Sequence, residues 1–311
     1  MANFTNADVM KLREQTGVGM MDCKKALVAT DGNFDEAVKY LREKGMASAS
    51  KKQSRVAAEG LVKCAVSADK KTGVILEINC ETDFVARSDQ FIALMDNIAN
   101  HILQSNAQTV EQLLEEAYYL DGASKIADLV AVATATIGEK ISLRRFAKFS
   151  LEQNGVVASY IHMGGKIGVL AEIKSDAPVD ALQELAFNIC LQIAASKPQV
   201  VAIADVDASN LEQEREILTA QAKNEGKPEA VIAKMVEGRI RKYYKEVCLL
   251  EQEYVRDSAL AVKQVIADCA KSTGCEIVVT RFVRYEMGEG LEKKNENLAD
   301  EVAKQVASNK N

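Results

Sequence analysis

An α+β architecture around an internally repeated core follows from three segment matches and one composition. Glu59-Gly60-Leu61-Val62 is echoed by Asn154-Gly155-Val156-Val157, and Gly73-Val74-Ile75-Leu76-Glu77-Ile78 by Gly168-Val169-Leu170-Ala171-Glu172-Ile173, both at an offset of 95 residues. Gly138, Ile141, Arg145 and Phe146 match Gly274, Ile277, Arg281 and Phe282 at an offset of 136. The 311 residues are 48% hydrophobic, 27% charged and only 5% aromatic, with three prolines and no tryptophan. That composition is ordinary for a globular chain of roughly two domains, with short loops and much helix.

Residues 1–55 read as a small helical module. Thr5 and Asn6 can cap a helix carrying Val9 and Leu12, and Gly17 and Gly19 break the chain before a second helix, Met21 to Ala29. After the turn Asp31-Gly32-Asn33, a third helix aligns Phe34, Val38 and Leu41 on one face. Lys44 to Arg55 loses apolar periodicity and gains Ser, Lys and Gly, so a linker or a mobile helix end is expected there. Three helices in about 45 residues make a marginal core, and such a module serves to present a surface to a partner.

Residues 56–150 form one core subdomain, and 151–207 with 248–285 form its repeat. In each, two β-rich runs joined by a polar turn (Ala68 to Thr72, then Met163 to Lys166) make a hairpin. A helix follows in each half: Asp89 to Gln104, with Phe91, Leu94, Ile98 and Ile102, and Val179 to Ala194, with Leu182, Leu185, Ile189 and Ile193. A third strand completes a three-stranded antiparallel sheet, covered by helices on one face. Growth of the offset from 95 to 136 places about 41 extra residues in the second half. They occupy 208–247, where helical patterns at 208–223 and 229–247 flank the turn Asn224-Glu225-Gly226-Lys227-Pro228. This is a protruding antiparallel helical hairpin, a coiled-coil arm that packs back on its own body or reaches another chain. Residues 286–311 pass Gly288-Glu289-Gly290 into a terminal helix with a single stripe, Leu298, Val302 and Val306, suited either to a partner or to the chain's own core.

Composition and motifs exclude much chemistry. Lys plus Arg total 39 against 45 Asp plus Glu, a formal charge of −6 and a pI of about 5.3. An acidic balance opposes a protein whose main partner is nucleic acid, since phosphate contacts need a basic face. The start lacks a basic segment followed by an apolar one, so no signal peptide is expected. Leu129 to Ile137, the most apolar stretch, falls far short of the roughly 20 residues a membrane span needs. A cytoplasmic location is therefore expected. Cys23, Cys64, Cys80, Cys190, Cys248, Cys269 and Cys275 are scattered without a CxxC pair and read as reduced thiols. With only His101 and His162 and no paired ligand spacing, neither a metal nor any other cofactor is expected. Gly17 to Lys24 lacks the phosphate-loop pattern, and Gly288-Glu289-Gly290 lacks the third glycine of a dinucleotide fingerprint. His101 is expected on the outside of a helix. His162 ends a strand at Tyr160-Ile161-His162 and either meets a partner or is an ordinary exposed residue. Arg239, Arg241, Lys242 and Lys245 make a solvated basic face on the hairpin. No catalytic constellation remains, which points to action by binding rather than to an enzyme.

One segment stands apart. Cys80-Glu81-Thr82-Asp83-Phe84-Val85-Ala86-Arg87 leaves a strand and enters a helix whose N-cap is Ser88 or Asp89. Phe84 has two readings. It tucks beneath the helix as a staple-like contact, or it is an exposed aromatic beside an acidic residue, the kind of anchor that dominates an interface.

The same residues carry a family resemblance. Leu12-Arg13-Glu14 leading into Thr16-Gly17-Val18-Gly19-Met20-Met21-Asp22-Cys23-Lys24-Lys25-Ala26-Leu27, then Glu77-Ile78-Asn79-Cys80-Glu81-Thr82-Asp83-Phe84-Val85-Ala86, are similar to two signatures of the translation elongation factor Ts family. Ala194-Ala195-Ser196-Lys197-Pro198, Lys234-Met235-Val236-Glu237-Gly238-Arg239 and Arg284-Tyr285-Glu286-Met287-Gly288-Glu289-Gly290 resemble further blocks in the same order, so the match covers essentially the whole chain. Glu81 stands where many relatives have Gln. The resemblance implies a ubiquitin-associated-like N-terminal module and a guanine nucleotide exchange factor whose partner is elongation factor Tu, GDP-bound or nucleotide-free. It further implies that Thr82, Asp83, Phe84 and Val85 enter near the partner's nucleotide site, with Phe84 as a wedge and Asp83 disturbing the Mg²⁺ surroundings. Arg13, Met20, Met21 and Lys24 would face the partner's nucleotide domain and His162 would be a further contact. The hairpin would serve either homodimerisation or partner contact. The competing classes are an RNA-associated ribosomal factor, which the acidic pI opposes, and a thiol-dependent enzyme.

Overall fold

The computed structural model describes residues 3–226 and 228–291. Thr5 opens α1 (Asn6–Thr16): its hydroxyl accepts the Asp8 N–H, and the Asp8 carboxylate accepts the Thr5 N–H at 2.7 Å. This reciprocal capping box satisfies donors that the first turn would leave open, and Gly17 ends the helix in the left-handed region. α2 (Met20–Ala29) and α3 (Phe34–Lys52) close a small core of Val9, Leu12, Cys23, Ala26, Leu27, Ala37 and Leu41.

Two lobes follow. The first comprises β1 (Glu59–Val66), β2 (Thr72–Cys80), α4 (Asp83–Ala86), α5 (Asp89–Gln104), α6 (Val110–Glu115), α7 (Ile126–Ile137) and β3 (Ser142–Ser150). The second comprises β4 (Gly155–His162), β5 (Ile167–Ser175), α8 (Val179–Ser196), α9 (Ala208–Asn224), α10 (Glu229–Val247), the short pair β6 (Glu253–Tyr254) and β7 (Asp257–Ala261), α11 (Val262–Thr273) and β8 (Ile277–Glu286). The sheets run β1-β2-β3 and β4-β5-β8, antiparallel throughout. The repeat reaches fine detail. The register slips after Glu77 in one sheet and after Glu172 in the other. Gly60 and Gly155 have φ of 144° and 140°, and a Cβ on either would collide with the carbonyl of Ile78 or Ile173, a position only glycine fills without strain.

Val74, Leu76 and Ile78 pack under Phe91, Leu94 and Ile98 of α5, while Val169, Ala171 and Ile173 pack under Leu182, Leu185 and Ile189 of α8. The opposite faces of the two sheets meet each other, burying Val62, Ile75 and Phe149 with Val157, Leu170 and Met287. The lobes also exchange cations reciprocally: the Arg145 guanidinium lies 4.1 Å from the Tyr285 ring centre, and that of Arg281 lies 4.3 Å from Phe149. Beneath this seam the unexposed Glu77 side chain accepts hydrogen bonds from Arg144, Arg145 and the Gly288 N–H at 2.6–2.9 Å. Burial alone would raise its carboxyl, but these donors hold it below the ordinary value.

Tertiary contacts correct two expectations. α3 runs unbroken to Lys52, so of the two readings of Lys44 to Arg55 the helix end holds and the linker does not. Its second half lies along α7, where Gly45 approaches Ala131 and Ala135, Arg42 pairs with Asp128, and Lys52 Nζ donates to the Thr134 carbonyl at 3.2 Å. A neighbouring helix thus supplies what the stretch lacks in apolar periodicity. His101 is buried, only 5% exposed, with Nε2 at 2.9 Å from Glu116 Oε2 and Nδ1 accepting the Tyr119 N–H at 3.3 Å. The segment that folds over it comes from after α6, beyond the reach of helical periodicity. The hairpin α9–α10 zips around Leu218, Ala222, Ile232, Val236 and Ile240. The terminal helix expected from Leu298, Val302 and Val306 lies outside the described residues.

Candidate functional site

The strands of the two lobes align at an offset of 95, but the buried helix positions Phe91, Leu94 and Ile98 align with Leu182, Leu185 and Ile189 at 91. The first lobe therefore carries four extra residues between its central strand and the following helix. They form a projection. Thr82 caps the single turn α4, its hydroxyl accepting the Val85 N–H at 3.3 Å. Of the two candidate caps for α5, Ser88 takes the role, accepting the Phe91 N–H at 3.3 Å.

Within α4, residues two apart point to opposite sides. Ala86 is buried and Val85 packs on the lobe's core, which turns Phe84 outward, 84% exposed. Phe84 is the exposed aromatic of the two readings, not the tucked one. Asp83 is half-exposed and pairs with Arg87 at 3.2 Å, an exchangeable surface pair. The base of the projection is stiff. The Cys80 thiol donates to the Thr82 carbonyl at 3.1 Å. Burial, reinforced by the nearby Glu139 carboxylate, pushes that thiol up to about 12, so it keeps its proton at neutral pH. Glu81 accepts the Lys140 N–H at 2.6 Å and faces Arg55 Nη1 at 3.2 Å. A Gln here would keep the first bond and lose the charge opposite Arg55.

His162 lies at the exposed end of β4, its Nδ1 3.0 Å from Tyr160 Oη, and the Tyr160 ring meets Phe187 edge-on at 5.5 Å. It pairs with Ile167 across the turn, next to Lys166. Lys166 shares an open groove of about 840 Å³ with Phe84, Asp83 and Arg55. His162 itself does not line this groove, whose walls come from the projection, the chain after α3 and Lys166. Arg13, Met20, Met21 and Lys24 are exposed but do not line it. Arg13 sits in the last turn of α1; the others face outward from the start of α2, opposite buried Cys23, Ala26 and Leu27. Together with Val28, 58% exposed, Met20 and Met21 leave an apolar stripe in water. Arg55 and Lys140, which brace the projection, escaped sequence reasoning. Only the repeated glycine at position 138 hints that the adjoining turn is special.

All seven cysteines are free, and among the described residues no cluster of three His, Cys, Asp or Glu could hold a metal ion. The family model described as Elongation factor TS matches residues 81–289. Elongation factor Ts of Clostridium botulinum (strain Alaska E43 / Type E3) is 53% identical over 298 residues, covering 96% of this chain and 97% of that protein. Elongation factor Ts of Clostridium perfringens (strain SM101 / Type A) is 52% identical over 301 residues, covering 97% and 98%. The chain belongs to the elongation factor Ts family. Membership makes it a factor of translation elongation in protein biosynthesis. Among the described residues no helix is long and apolar enough to cross a membrane.

Proposed function

We propose that the chain binds the GDP form of elongation factor Tu in the cytoplasm, disturbs its Mg²⁺ site and promotes GDP release. The observation that carries this reading is Phe84: a large apolar side chain held in water on a braced helical turn, the arrangement of an interface anchor. Phe84 is the wedge, and Asp83, freed from Arg87, displaces the surroundings of the ion. Thr82 and Val85 set the turn. Arg13, Met20, Met21 and Lys24 meet the nucleotide-binding domain of the partner through the exposed side of α2, and His162 adds a contact near the groove. The inserted hairpin is an arm for a second copy or for the same partner. Residues 1–55, 56–150, 151–207 with 248–285, 208–247 and 286–311 act as separate modules in this scheme.

The mechanism is linkage. Whatever weakens GDP on the complex weakens the factor equally when GDP is present. Loss of Mg²⁺ coordination removes a large local positive charge from the phosphates, and a destabilisation of about 4–7 kcal/mol corresponds to roughly three to five decades in affinity. No covalent bond is made or broken in the factor, so it turns over without being an enzyme. The test is release of labelled GDP from elongation factor Tu. Phe84→Ala and Asp83→Ala are each expected to slow stimulated release while the protein stays folded. Wild-type release by both variants would refute the wedge.

A further inference from the structure

The first lobe carries its projection on a carboxylate that the second lobe lacks. Glu139 lies in the turn Gly138-Glu139-Lys140 between α7 and β3, far from Phe84 in sequence. Its Oε2 accepts the Glu81 N–H at 3.1 Å and the Thr82 N–H at 3.0 Å, and its Oε1 accepts the Thr82 hydroxyl at 2.7 Å. Both backbone donors are those the chain exposes as it leaves β2. Glu81 returns the contact through the Lys140 N–H at 2.6 Å. Lys140 in turn sends its ammonium to the Gln53 and Arg55 carbonyls at 2.6 and 2.9 Å, where the chain leaves α3. One turn therefore holds both the root of the projection and the end of the helix from the N-terminal module. At the 136-residue offset the second lobe has Cys275 in place of Glu139, and there the strand runs straight into α8 with no projection. The carboxylate and the projection occur together.

We infer that Glu139 is a positioning residue for nucleotide exchange. It touches neither partner nor nucleotide, and it fixes the direction of Phe84 by clamping the backbone at Glu81 and Thr82. This rests on the exchange reading above. Bonds to an ionised acceptor are the stronger kind, and an anchor that wanders wastes binding energy on reordering.

The test measures GDP release from elongation factor Tu at varied concentration of its GDP complex. Variants are Glu139→Ala, Glu139→Gln, Phe84→Ala and the double variant Phe84→Ala/Glu139→Ala, each checked for a wild-type thermal midpoint. For Glu139→Ala, kcat is expected to fall about tenfold with KM changed less than about twofold, the size of one lost charged hydrogen bond. Glu139→Gln, which keeps an acceptor oxygen for the two N–H groups, restores most of the rate. In the Phe84→Ala background, Glu139→Ala should change the rate less than about twofold, because a residue acting through another loses its effect when the other is gone. A wild-type rate for Glu139→Ala, or an undiminished loss in the Phe84→Ala background, overturns the positioning role and leaves the exchange reading standing. A wild-type rate for Phe84→Ala removes the wedge that Glu139 would position, and the positioning role falls with it; the wedge reading as a whole falls only if Asp83→Ala also releases GDP at the wild-type rate.

Discussion

The two lobes share strand order, register slip, buried glutamate and cross-seam arginine, yet they part company where the central strand hands over to the helix. After Ser175 the second lobe goes directly to Val179 through Asp176-Ala177-Pro178, whereas the first inserts the turn carrying Phe84 before Asp89. Gly60 and Gly155, Glu77 and Glu172, and Phe149 and Tyr285, all common to both lobes, are buried or bridge the seam. The inserted turn differs in holding Phe84 in water above its buried Ala86. The duplicated parts thus carry the shared core, and the projection proposed to bind is added to one copy. A rigid scaffold can carry an exposed aromatic because its own fold does not depend on it.

The sharpest way to break this contrast is to delete Thr82–Val85, which gives both lobes the same connection length. Stimulated GDP release should drop by at least about 100-fold, the loss of a central interface anchor, while circular dichroism shows the chain still folded. A deletion variant with normal exchange would show that the asymmetry has no function.

The buried glutamates come next. Glu77→Ala leaves Arg144, Arg145 and the Gly288 N–H without their acceptor and should cost about 3 kcal/mol in urea unfolding. Glu172→Ala frees only Thr280 and the half-exposed Arg281 and should cost about half as much. Since the folded carboxyl of Glu77 titrates below its ordinary value, its contribution is complete above the unfolded carboxylate range and is lost as pH falls through the lower folded value. Glu77→Gln should flatten the acid side of the stability profile. An unchanged acid limb would show that Glu77 does not tie the lobes together.

Gly60→Ala and Gly155→Ala test whether the duplication is energetic as well as geometric. Each should cost about 2 kcal/mol, from strain at positive φ and the facing carbonyl, and the two values should agree. Markedly unequal losses would mean that one lobe yields where the other does not. The smallest effect belongs to Arg87→Ala, which removes the surface partner of Asp83 and should shift stability by less than about 0.5 kcal/mol.

Local chemistry made much of this legible. Alternation and polar turns marked the hairpins, 3.6-residue spacing marked α5 and α8, and a capping residue preceded α1. The matching offsets revealed the duplication, and the resemblance singled out Thr82–Val85 before any coordinates. The small sheet β6–β7 went unseen, being only two residues long on one side, too short for a periodicity. The bracing residues Arg55, Glu139 and Lys140 stayed hidden because each is an ordinary charged residue until the chain folds it against another segment.

From its sequence alone the chain specified which segments become helix or strand and that its core is doubled, because those properties arise between residues a few positions apart or from plain repetition. Packing between distant segments decided the rest: the straight run of α3 along α7, the burial of His101, the stacking of each lobe's arginine on the other's aromatic ring, and the outward aim of Phe84. Each of these depends on which surfaces exclude water together, and that is settled only when residues tens to hundreds of positions apart meet.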